Sequence, residues 1–241
     1  MNTIGVIPAR FASTRFPGKP LVKILGKTLI ERVYKRAERS SLQRLLVATD
    51  DTRIVDEVLS FGGNVVLTGE HTSGTDRVVE ALEGEKCDIV INIQGDEPLI
   101  KPEVIDTIIK YMQENRQVEV ATVASIINQI EEIDDPNVVK VVSSKKGKAL
   151  YFSRSTIPFR RDSNTLHYKH IGIYGYRRDF LNEFIKMPPS PLENAESLEQ
   201  LRILENGFDI HISVVDYESI GVDLPEDICK VENALIREGD V

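Results

Sequence analysis

The sequence is poor in cysteine and has no apolar stretch long enough to cross a membrane. Its two cysteines, Cys87 and Cys229, are far apart, which argues against a disulfide framework and favours a reducing compartment. No apolar run approaches the ~18 residues that a membrane helix needs. The N-terminus enters a strand-like run without a basic lead-in, so we expect no signal peptide. These absences predict a soluble, cytoplasmic protein.

The chain also lacks an excess of positive charge. Its 30 lysines and arginines face 38 aspartates and glutamates, which gives a formal net charge of −8 and a sequence pI ≈ 5.2. Nucleic acids and anionic membrane surfaces bind basic faces, so neither is expected as the main partner. An acidic protein can still bind an anion where its few cations converge.

Several signatures of enzyme classes are missing. The sequence has no Gly-x-Ser-x-Gly elbow, which disfavours an α/β-hydrolase, and no Gly-x-Gly-x-x-Gly after a strand, which disfavours a dinucleotide site. The histidines show no spacing typical of zinc ligands; they are His71, His167, His170 and His211.

Short apolar runs alternate with segments of helical periodicity over the first hundred residues. Strands are predicted at 3–8, 45–49, 64–67 and 88–93, and helices at 28–39, after a capping Asp51, and at 75–82. Continuous apolar strands between helices indicate a mostly parallel sheet covered on both faces. The sequence therefore predicts an α/β, doubly wound fold in one large domain.

The pattern changes after about residue 117. Strands are predicted at 118–126, 138–142, 150–153, 171–176 and 210–215, and helices at 192–205 and 225–238. We therefore expect a nucleotide-binding half over about 1–117, and an inserted smaller α+β subregion over about 118–215. Residues 216–241 would form a closing segment. The subregion is expected to bind the second substrate, and such an insertion could also mediate dimerisation.

The loop after the first predicted strand concentrates cations and hydroxyls. These residues are Arg10, Ser13, Thr14, Arg15, Gly18 and Lys19. Arginine and lysine make charge-assisted hydrogen bonds to phosphate oxygens, and open α/β sheets bind ligands at the carboxyl ends of their strands. The loop therefore predicts a polyphosphate site. It is not a P-loop, because Pro20 stands where that motif has Ser or Thr; an ordinary surface loop with solvated charges is the alternative.

Two aspartates are candidates for a metal site. Asp96 lies in the segment 94–98, which directly follows the buried run 89–93, and proteins hold Mg²⁺ with one or two carboxylates together with substrate phosphates. Asp223, just before Pro225, can supply the second carboxylate. Each has a structural alternative: Asp96 as a turn or capping residue, and Asp223 as the N-cap of the closing helix. The residues alone leave both interpretations open.

Further polar groups lie at the ends of predicted elements. Ser73 and Thr75 open a helix, where hydroxyls suit either capping or a nucleotide edge, whereas capping does not require Arg77. Glu196 and Gln200 are four residues apart on the predicted helix 192–205 and would share a face; a solvated pair is the alternative. His170 and Arg154 flank predicted strands, and a lone histidine is more often structural than catalytic.

The order of these motifs resembles the 3-deoxy-manno-octulosonate (Kdo) cytidylyltransferases, also called CMP-Kdo synthetases. The resemblance runs from Ile4 to the C-terminal helix. The matching blocks are 8–10 with 17–21, 48–50, 73–77, 94–98, 149–154, 170–176, 196–202 and 221–223. One departure is Leu224, where that family usually has threonine after the second aspartate. This weakens a local hydroxyl contact or cap but not the carboxylate of Asp223.

The resemblance implies a nucleotidyltransferase, Rossmann-like fold, a homodimer and a set of site residues. CTP would be bound by Ala9, Arg10, Ser13, Arg15, Lys19, Ser73, Gly74, Thr75 and Arg77. Mg²⁺ would be held by Asp96 and Asp223. The sugar acid would be bound by Gln94, Arg154, His170, Tyr174, Glu196 and Gln200. Catalysis would depend on Arg10, Lys19, Asp96 and Asp223.

The implied reaction is an in-line displacement in which the anomeric C2 hydroxyl of Kdo attacks the α-phosphorus of CTP and pyrophosphate leaves. Cations would neutralise the two anionic reactants. A magnesium on Asp96 and Asp223 would lower the pKa of the hydroxyl, and a second magnesium would sit on the departing pyrophosphate. The product CMP-Kdo would serve lipopolysaccharide or capsule synthesis.

Three rival functions remain open from the sequence. The first is a cytidylyltransferase for a related acid, such as 8-amino-Kdo or a sialic acid. The second is a GT-A-type glycosyltransferase, although a clear Asp-x-Asp is missing. The third is a non-catalytic nucleotide or sugar sensor, against which the combination of Asp96, Asp223 and the cationic loop argues.

Overall fold

The computed structural model describes residues 1–12, 16–162 and 165–240. Its first half contains β1 (Thr3–Ala9), β2 (Lys23–Ile24), β3 (Lys27–Thr28), α1 (Leu29–Ala37), β4 (Arg44–Thr49), α2 (Thr52–Ser60), β5 (Val65–Leu67), α3 (Gly74–Ala81), β6 (Ile89–Asn92) and α4 (Pro102–Glu114). The remainder contains β7 (Val120–Ile126), α5 (Ile130–Asp134), β8 (Lys140–Ser143), β9 (Ala149–Ser153), β10 (Tyr168–Arg177), α6 (Arg178–Phe184), α7 (Pro191–Glu196), α8 (Gln200–Glu205), β11 (Ile210–Val214) and α9 (Asp227–Glu238).

Within the described residues, nine strands form one sheet whose main order is β11-β7-β10-β6-β1-β4-β5. The pairs β1–β4, β1–β6, β4–β5 and β7–β11 are parallel, whereas β10 is antiparallel to both β6 and β7. The short ladder of β8 and β9 joins the sheet through β10. The expectation of an α/β, mostly parallel sheet is confirmed.

One edge of this sheet collects the carboxyl ends of its parallel strands. Since β10 runs antiparallel to both of its neighbours, β6 and β7 point the same way as β1 and β4. The residues after β1 and β6 therefore lie at the same edge, which is where open α/β sheets bind ligands. This topology brings the cationic loop, beginning at Arg10, to the segment containing Asp96.

Both faces of the sheet are covered, as the continuous apolar strands require. Ile7 belongs to the core under α1, α4 and α9, whereas the preceding Val6 packs into the core under α3 and α6. Both side chains are inaccessible to solvent. Successive side chains of a strand point to opposite faces, so a strand covered on both sides needs apolar residues at every position.

Two helical predictions need correction. Helix α4 was not predicted from the sequence, although Pro102 at its start and the buried Ile105, Ile108 and Met112 give it a helical pattern. The single helix predicted over 192–205 is wrong: it divides into α7 and α8, because Ser197 adopts a left-handed conformation with φ 53°. The premise that Glu196 and Gln200 share a helical face therefore fails.

The segment expected to form an inserted subregion contributes to the same sheet as the first half. β7, β10 and β11 extend it beyond β6, and the strands predicted at 138–142 and 150–153 are present as β8 and β9, which pair as an antiparallel hairpin. The capping interpretation of Asp51 is also confirmed, because its side chain accepts a hydrogen bond from the amide of Arg53 at the start of α2.

Candidate active site

A cavity of about 320 Å³ opens at the carboxyl ends of β1 and β6. It brings together most of the residues predicted to bind nucleotide and metal: Ala9, Arg10, Lys19, Ser73, Gly74, Arg77, Asp96 and Asp223, with Gln94 beside them. Ser13 and Arg15 lie outside the described residues. The cavity combines cations and carboxylates, so we name it the charged cavity.

Lys19 lies between the two aspartates of the charged cavity. Its ammonium Nζ is 2.8 Å from Oδ2 of Asp96 and 3.7 Å from Oδ1 of Asp223, and it donates a hydrogen bond of 2.8 Å to the carbonyl of Val222. Two segments far apart in the sequence thus converge on one positive charge. The side chain of Lys19 is only 15% exposed, so this charge is partly shielded from solvent.

The structure decides against the capping interpretation of Asp223. The N-cap of α9 is Glu226, and the side chain of Asp227 accepts hydrogen bonds from the amides of Asp223 and Leu224. Burial alone would raise the pKa of Asp227, but the hydrogen bonds from Lys230 and from these two amides outweigh that effect and lower it. The positive N-terminal end of α9 also favours the charged carboxylate. The carboxylate of Asp223 is therefore left at the cavity, with its side chain 52% exposed.

Gly95 permits the close approach of β6 to β1 at this edge. A Cβ atom built on Gly95 would lie 3.1 Å from the carbonyl oxygen of Pro8, which is tighter than nine in ten real Cβ contacts. A larger residue would push the segment containing Asp96 away from the end of β1.

The segment 73–77 combines capping with a buried ion pair. Ser73 is the N-cap of α3, since its hydroxyl accepts a hydrogen bond from the amide of Asp76. The guanidinium of Arg77 donates to the carboxylate of Asp50 at 2.6 Å and to the hydroxyl of Thr68 at 2.7 Å. Arg77 borders the charged cavity, but its charge is already balanced by Asp50.

A second cavity of about 390 Å³ adjoins the charged one and shares Pro8, Gly74 and Gln94 with it. Four residues predicted to bind the sugar acid line it: Gln94, His170, Tyr174 and Gln200. Thr75, predicted to face the nucleotide, lines this cavity instead. We call it the polar cavity, because most of its walls are uncharged polar groups.

Three buried polar atoms of the polar cavity have no hydrogen-bond partner among the described residues. They are Oδ1 of Asn92, the hydroxyl of Tyr174 and Nε2 of Gln200, whose residues are 4%, 7% and 7% exposed. Buried polar groups are normally satisfied, and one left unpaired destabilises the fold. Unpaired donors and acceptors on residues around one cavity suit a polar ligand or bound water that completes their hydrogen bonds. Sequence reasoning missed Asn92, which lies opposite Tyr174 in the ladder of β6 and β10.

His170 and Gln94 are held in place at the wall of the polar cavity. Desolvation by the surrounding protein lowers the pKa of His170 to about 3, so its ring is neutral at neutral pH. Its Nε2 lies 3.1 Å from the hydroxyl of Thr122. Gln94 donates a hydrogen bond of 2.8 Å to the carbonyl of Gly172, where the register between β7 and β10 shifts.

Arg154 and Glu196 contact each other rather than the polar cavity. The carboxylate of Glu196 accepts hydrogen bonds from the amide of Arg154 and the hydroxyl of Ser153, at 2.9 and 2.6 Å. The guanidinium of Arg154 donates to the backbone carbonyls of Glu196 and Pro136. These two predicted sugar-binding residues therefore lie behind the turn at Ser197, which does line the cavity.

Glu199, which sequence reasoning missed, lies in the wall of the polar cavity. It accepts a hydrogen bond of 2.6 Å from the hydroxyl of Thr75, which is in the first turn of α3. Burial raises the pKa of Glu199. The left-handed turn at Ser197 turns Glu199 toward α3, and this turn was hidden by the prediction of one continuous helix.

A third cavity, of about 430 Å³, lies at the ends of β7 and β11 and is lined by Ser125, whose buried hydroxyl has no hydrogen-bond partner among the described residues. Its lysine, Lys169, is paired with Glu132 at 2.9 Å. Neither Asp96 nor the residues of the cationic loop line it. The two adjoining cavities therefore form the candidate active site.

Known proteins resemble this chain over nearly its whole length. A family model for cytidylyltransferases matches residues 4–213. A curated 3-deoxy-manno-octulosonate cytidylyltransferase from Fusobacterium nucleatum is 50% identical over 244 residues, covering 100% of this chain and 99% of the relative. Another, from Geobacter sulfurreducens, is 50% identical and covers 96% of this chain and 98% of the relative.

Solved structures show the same relationship. A CMP:2-keto-3-deoxy-manno-octonic acid synthetase complexed with CTP is 42% identical and aligns with a TM-score of 0.94, covering 99% of this chain and 100% of that chain. A cytidylyltransferase from Leptospira borgpetersenii is 17% identical, with a TM-score of 0.69 over 98% of this chain and 87% of that chain. Because the Leptospira protein is only 17% identical, its similarity shows a shared fold and nothing more.

Proposed function

This chain belongs to the cytidylyltransferase family, and we propose that it transfers CMP from CTP to the anomeric hydroxyl of Kdo, giving CMP-Kdo and pyrophosphate. The main structural support for this reaction is the pair of adjoining cavities. One is lined by cations and carboxylates and the other by unpaired neutral polar groups, and they share Gly74 and Gln94. A triphosphate suits the first cavity and a polyhydroxylated acid the second, so the two reacting groups meet at the shared wall.

The charged cavity supports binding of the triphosphate through Arg10 and Lys19. Both side chains line it, and Arg10 directly follows β1 at the ligand-binding edge of the sheet. Charge-assisted hydrogen bonds from these groups neutralise phosphate oxygens as negative charge builds up on the leaving pyrophosphate. Ser13 and Arg15 are expected to add to this set on the basis of the family resemblance.

The donor set at Asp96 and Asp223 fits a magnesium ion. The two carboxylates already share a cation, the ammonium of Lys19, at 2.8 and 3.7 Å. No group of three or more potential protein ligands occurs among the described residues. Mg²⁺ takes only one or two carboxylates and completes its shell with phosphates and water, so two aspartates are enough to hold it. When bound, such an ion would polarise the attacking hydroxyl and offset phosphate charge.

The polar cavity supports binding of the sugar acid. Unpaired groups of Asn92, Tyr174 and Gln200 can exchange hydrogen bonds with sugar hydroxyls. The neutral ring of His170 adds no charge to this wall. Arg154 and Glu196 would act one layer behind, by fixing the turn at Ser197.

In the reaction, the C2 hydroxyl oxygen of Kdo forms a bond to the α-phosphorus as the bond to the β-phosphate oxygen breaks. The hydroxyl proton passes to solvent water, and pyrophosphate departs with the bonding electrons. The contribution of the chain is to hold both reactants in line and to neutralise the leaving group through Arg10 and Lys19.

Pyrophosphate release tests this function directly. Purified protein is supplied with MgCl₂, CTP and, in parallel, Kdo, 8-amino-Kdo or N-acetylneuraminate. Release with Kdo supports the proposal. Release with only one of the other acids would mean that the protein is a cytidylyltransferase for that acid rather than for Kdo. A protein that binds CTP but releases no pyrophosphate with any acid would instead be a sensor, and hydrolysis of a nucleotide sugar would indicate a glycosyltransferase.

We also propose a homodimer, a cytoplasmic location and use of the product in lipopolysaccharide or capsule synthesis. Ile130, Phe159 and Leu166 are 55%, 83% and 57% exposed around the end of β7, and we expect two copies of the chain to meet there. Light scattering during gel filtration tests this, because Phe159→Asp should shift a dimer to a monomer.

No helix among the described residues is long and apolar enough to span a membrane.

A further inference from the structure

Glu97 is a carboxylate beside the proposed metal site that does not face either substrate cavity. Its neighbour Asp96 lines the charged cavity, but Glu97 lines neither that cavity nor the polar one. Its Oε2 accepts a hydrogen bond of 3.1 Å from the hydroxyl of Tyr217, and its Oε1 accepts one from the hydroxyl of Ser219. Both hydroxyls belong to the segment that leads to Asp223.

That segment depends on such contacts for its position. Residues 215–226 connect β11 to α9 without strand or helix, so no regular ladder of backbone hydrogen bonds fixes Asp223. Glu97 holds the first part of the segment, and the carbonyl of Asp96 accepts a bond of 2.9 Å from the amide of Val222. Asp227 then holds the amide of Asp223 itself at 3.0 Å.

We propose that Glu97 is a positioning residue whose carboxylate, by holding Tyr217 and Ser219, sets Asp223 opposite Asp96 so that the two form one cation site. The inference rests on the proposed function, because it takes these aspartates as the metal ligands. Glu97 is adjacent in sequence to one ligand and hydrogen-bonded to the segment of the other. It therefore links the end of β6 to a connection that is more than a hundred residues away in sequence.

The burial of the contacts favours this role over that of a solvated surface pair. Tyr217 is only 3% exposed and packs into the core beneath α9 with Val222. Gly221 brings the backbone close as well, since a Cβ atom built there would lie 3.6 Å from the carbonyl of Asp96. Residues that orient metal ligands through such contacts typically change metal affinity 10- to 100-fold when they are removed.

The test removes the two hydroxyls and leaves all ligands in place. Mn²⁺ binding is measured by titration calorimetry and electron paramagnetic resonance, in the presence of a CTP analogue with a methylene group between the α- and β-phosphorus. The variants are Tyr217→Phe, Ser219→Ala and the double variant. Tyr111→Phe is the matched control, because its hydroxyl also makes one hydrogen bond, 2.9 Å to Nδ1 of His211, away from the site.

The double variant should bind Mn²⁺ about 10-fold more weakly, by analogy with other residues that orient metal ligands, while its affinity for the analogue without metal stays unchanged. Tyr111→Phe should bind Mn²⁺ like the wild type. Glu97→Gln, which keeps an acceptor oxygen, should lose less metal affinity than Glu97→Ala; if either variant fails to fold, the hydroxyl variants carry the test.

Two outcomes separate the inference from the proposed function. If the wild type binds Mn²⁺ with the nucleotide analogue and the folded double variant binds it equally well, the positioning role of Glu97 is wrong. If the wild type binds no Mn²⁺ under these conditions, the metal site itself is wrong, and the inference falls with it.

Discussion

The ammonium of Lys19 and the carboxylate of Asp96 form a hydrogen-bonded ion pair of 2.8 Å at the edge of the sheet. Lys19 begins the short 3-10 turn after the cationic loop and Asp96 follows β6, so the pair joins the two segments expected to hold phosphate and metal. Lys19, which was predicted to bind phosphate, is therefore paired with Asp96 and Asp223, which were predicted to bind the metal. We expect a bound triphosphate to give Lys19 new partners and to release the two carboxylates for a divalent cation.

Replacing Lys19 should therefore have opposite effects on the two ligands. In Lys19→Met the aspartates lose their resident cation, so we expect the nucleotide-free protein to bind Mn²⁺ about 10-fold more tightly, equivalent to about 1.4 kcal/mol. The affinity for CTP should fall on the order of 10- to 100-fold, because a hydrogen bond to a charged group contributes about 1.5–3 kcal/mol. Titration calorimetry measures both constants.

The control for this prediction is Lys148→Met. Lys148 also pairs with an aspartate, Asp209, but on the exposed surface. Both affinities should match those of the wild type. Unchanged or weaker Mn²⁺ binding by Lys19→Met would show that the lysine does not compete for the site.

Asp96→Asn should abolish turnover and leave the fold intact. The amide has the shape of the carboxylate but no charge, so it cannot hold a divalent cation beside Asp223. We expect pyrophosphate release to fall at least about 10³-fold, as when a main electrostatic group is removed from an active site. The melting temperature should shift by only a few degrees, because Asp96 is partly exposed and such ion pairs contribute little to stability. Asp209→Asn is the matched control, and near wild-type activity of Asp96→Asn would exclude the metal role.

The sequence predicted the elements that are governed by local periodicity. The strands 3–8 and 45–49 and the cap at Asp51 are present almost as expected, because apolar runs and capping residues act within a few positions. The predicted helix 192–205 failed at one residue. Ser197 adopts a positive φ, which a non-glycine residue takes only where surrounding contacts favour it, and no local signal marks it.

In the candidate site, too, the features set by local sequence could be predicted and those set by contacts between distant segments could not. Residues at strand ends, such as Arg10 and Asp96, could be placed at one edge of the sheet from topology alone. The roles of Asn92, Glu199 and Tyr217 depend on contacts between distant segments. From the sequence alone, Asn92 is only one polar residue in an apolar strand. Its place in the cavity wall becomes evident only when the fold brings Tyr174 opposite it.

Asn92→Leu should weaken sugar binding without weakening the fold. Oδ1 of Asn92 is buried and lacks a partner among the described residues, so an apolar group of similar shape removes an unfavourable burial. We expect the melting temperature to stay level or rise, and the KM for Kdo to increase about 10-fold, the loss of one hydrogen bond of about 1.4 kcal/mol. The KM for CTP should not change. A clear drop in melting temperature with an unchanged KM for Kdo would instead identify Asn92 as a structural residue.

The burial of His170 should make the stability of the protein depend on pH in the acidic range. Its pKa is lowered from 6.5 to about 3 in the folded chain by desolvation. Above pH 6.5 the ring is neutral in both the folded and the unfolded state, so this contribution to stability is fully present. As pH falls toward 3, the unfolded chain takes up a proton that the folded chain excludes, and the free energy of unfolding drops by up to about 1.4 kcal/mol per pH unit.

His170→Gln removes this titration, so its free energy of unfolding should fall less steeply than that of the wild type between pH 6.5 and 4. Urea denaturation at several pH values in this range measures both slopes. His211→Gln is the comparison, since the pKa of His211 is also lowered by burial but its ring is less enclosed, and it should change the slope less. Parallel slopes for the wild type and His170→Gln would mean that the imidazole of His170 gains a proton in the folded state, and that the wall of the polar cavity becomes charged in mild acid.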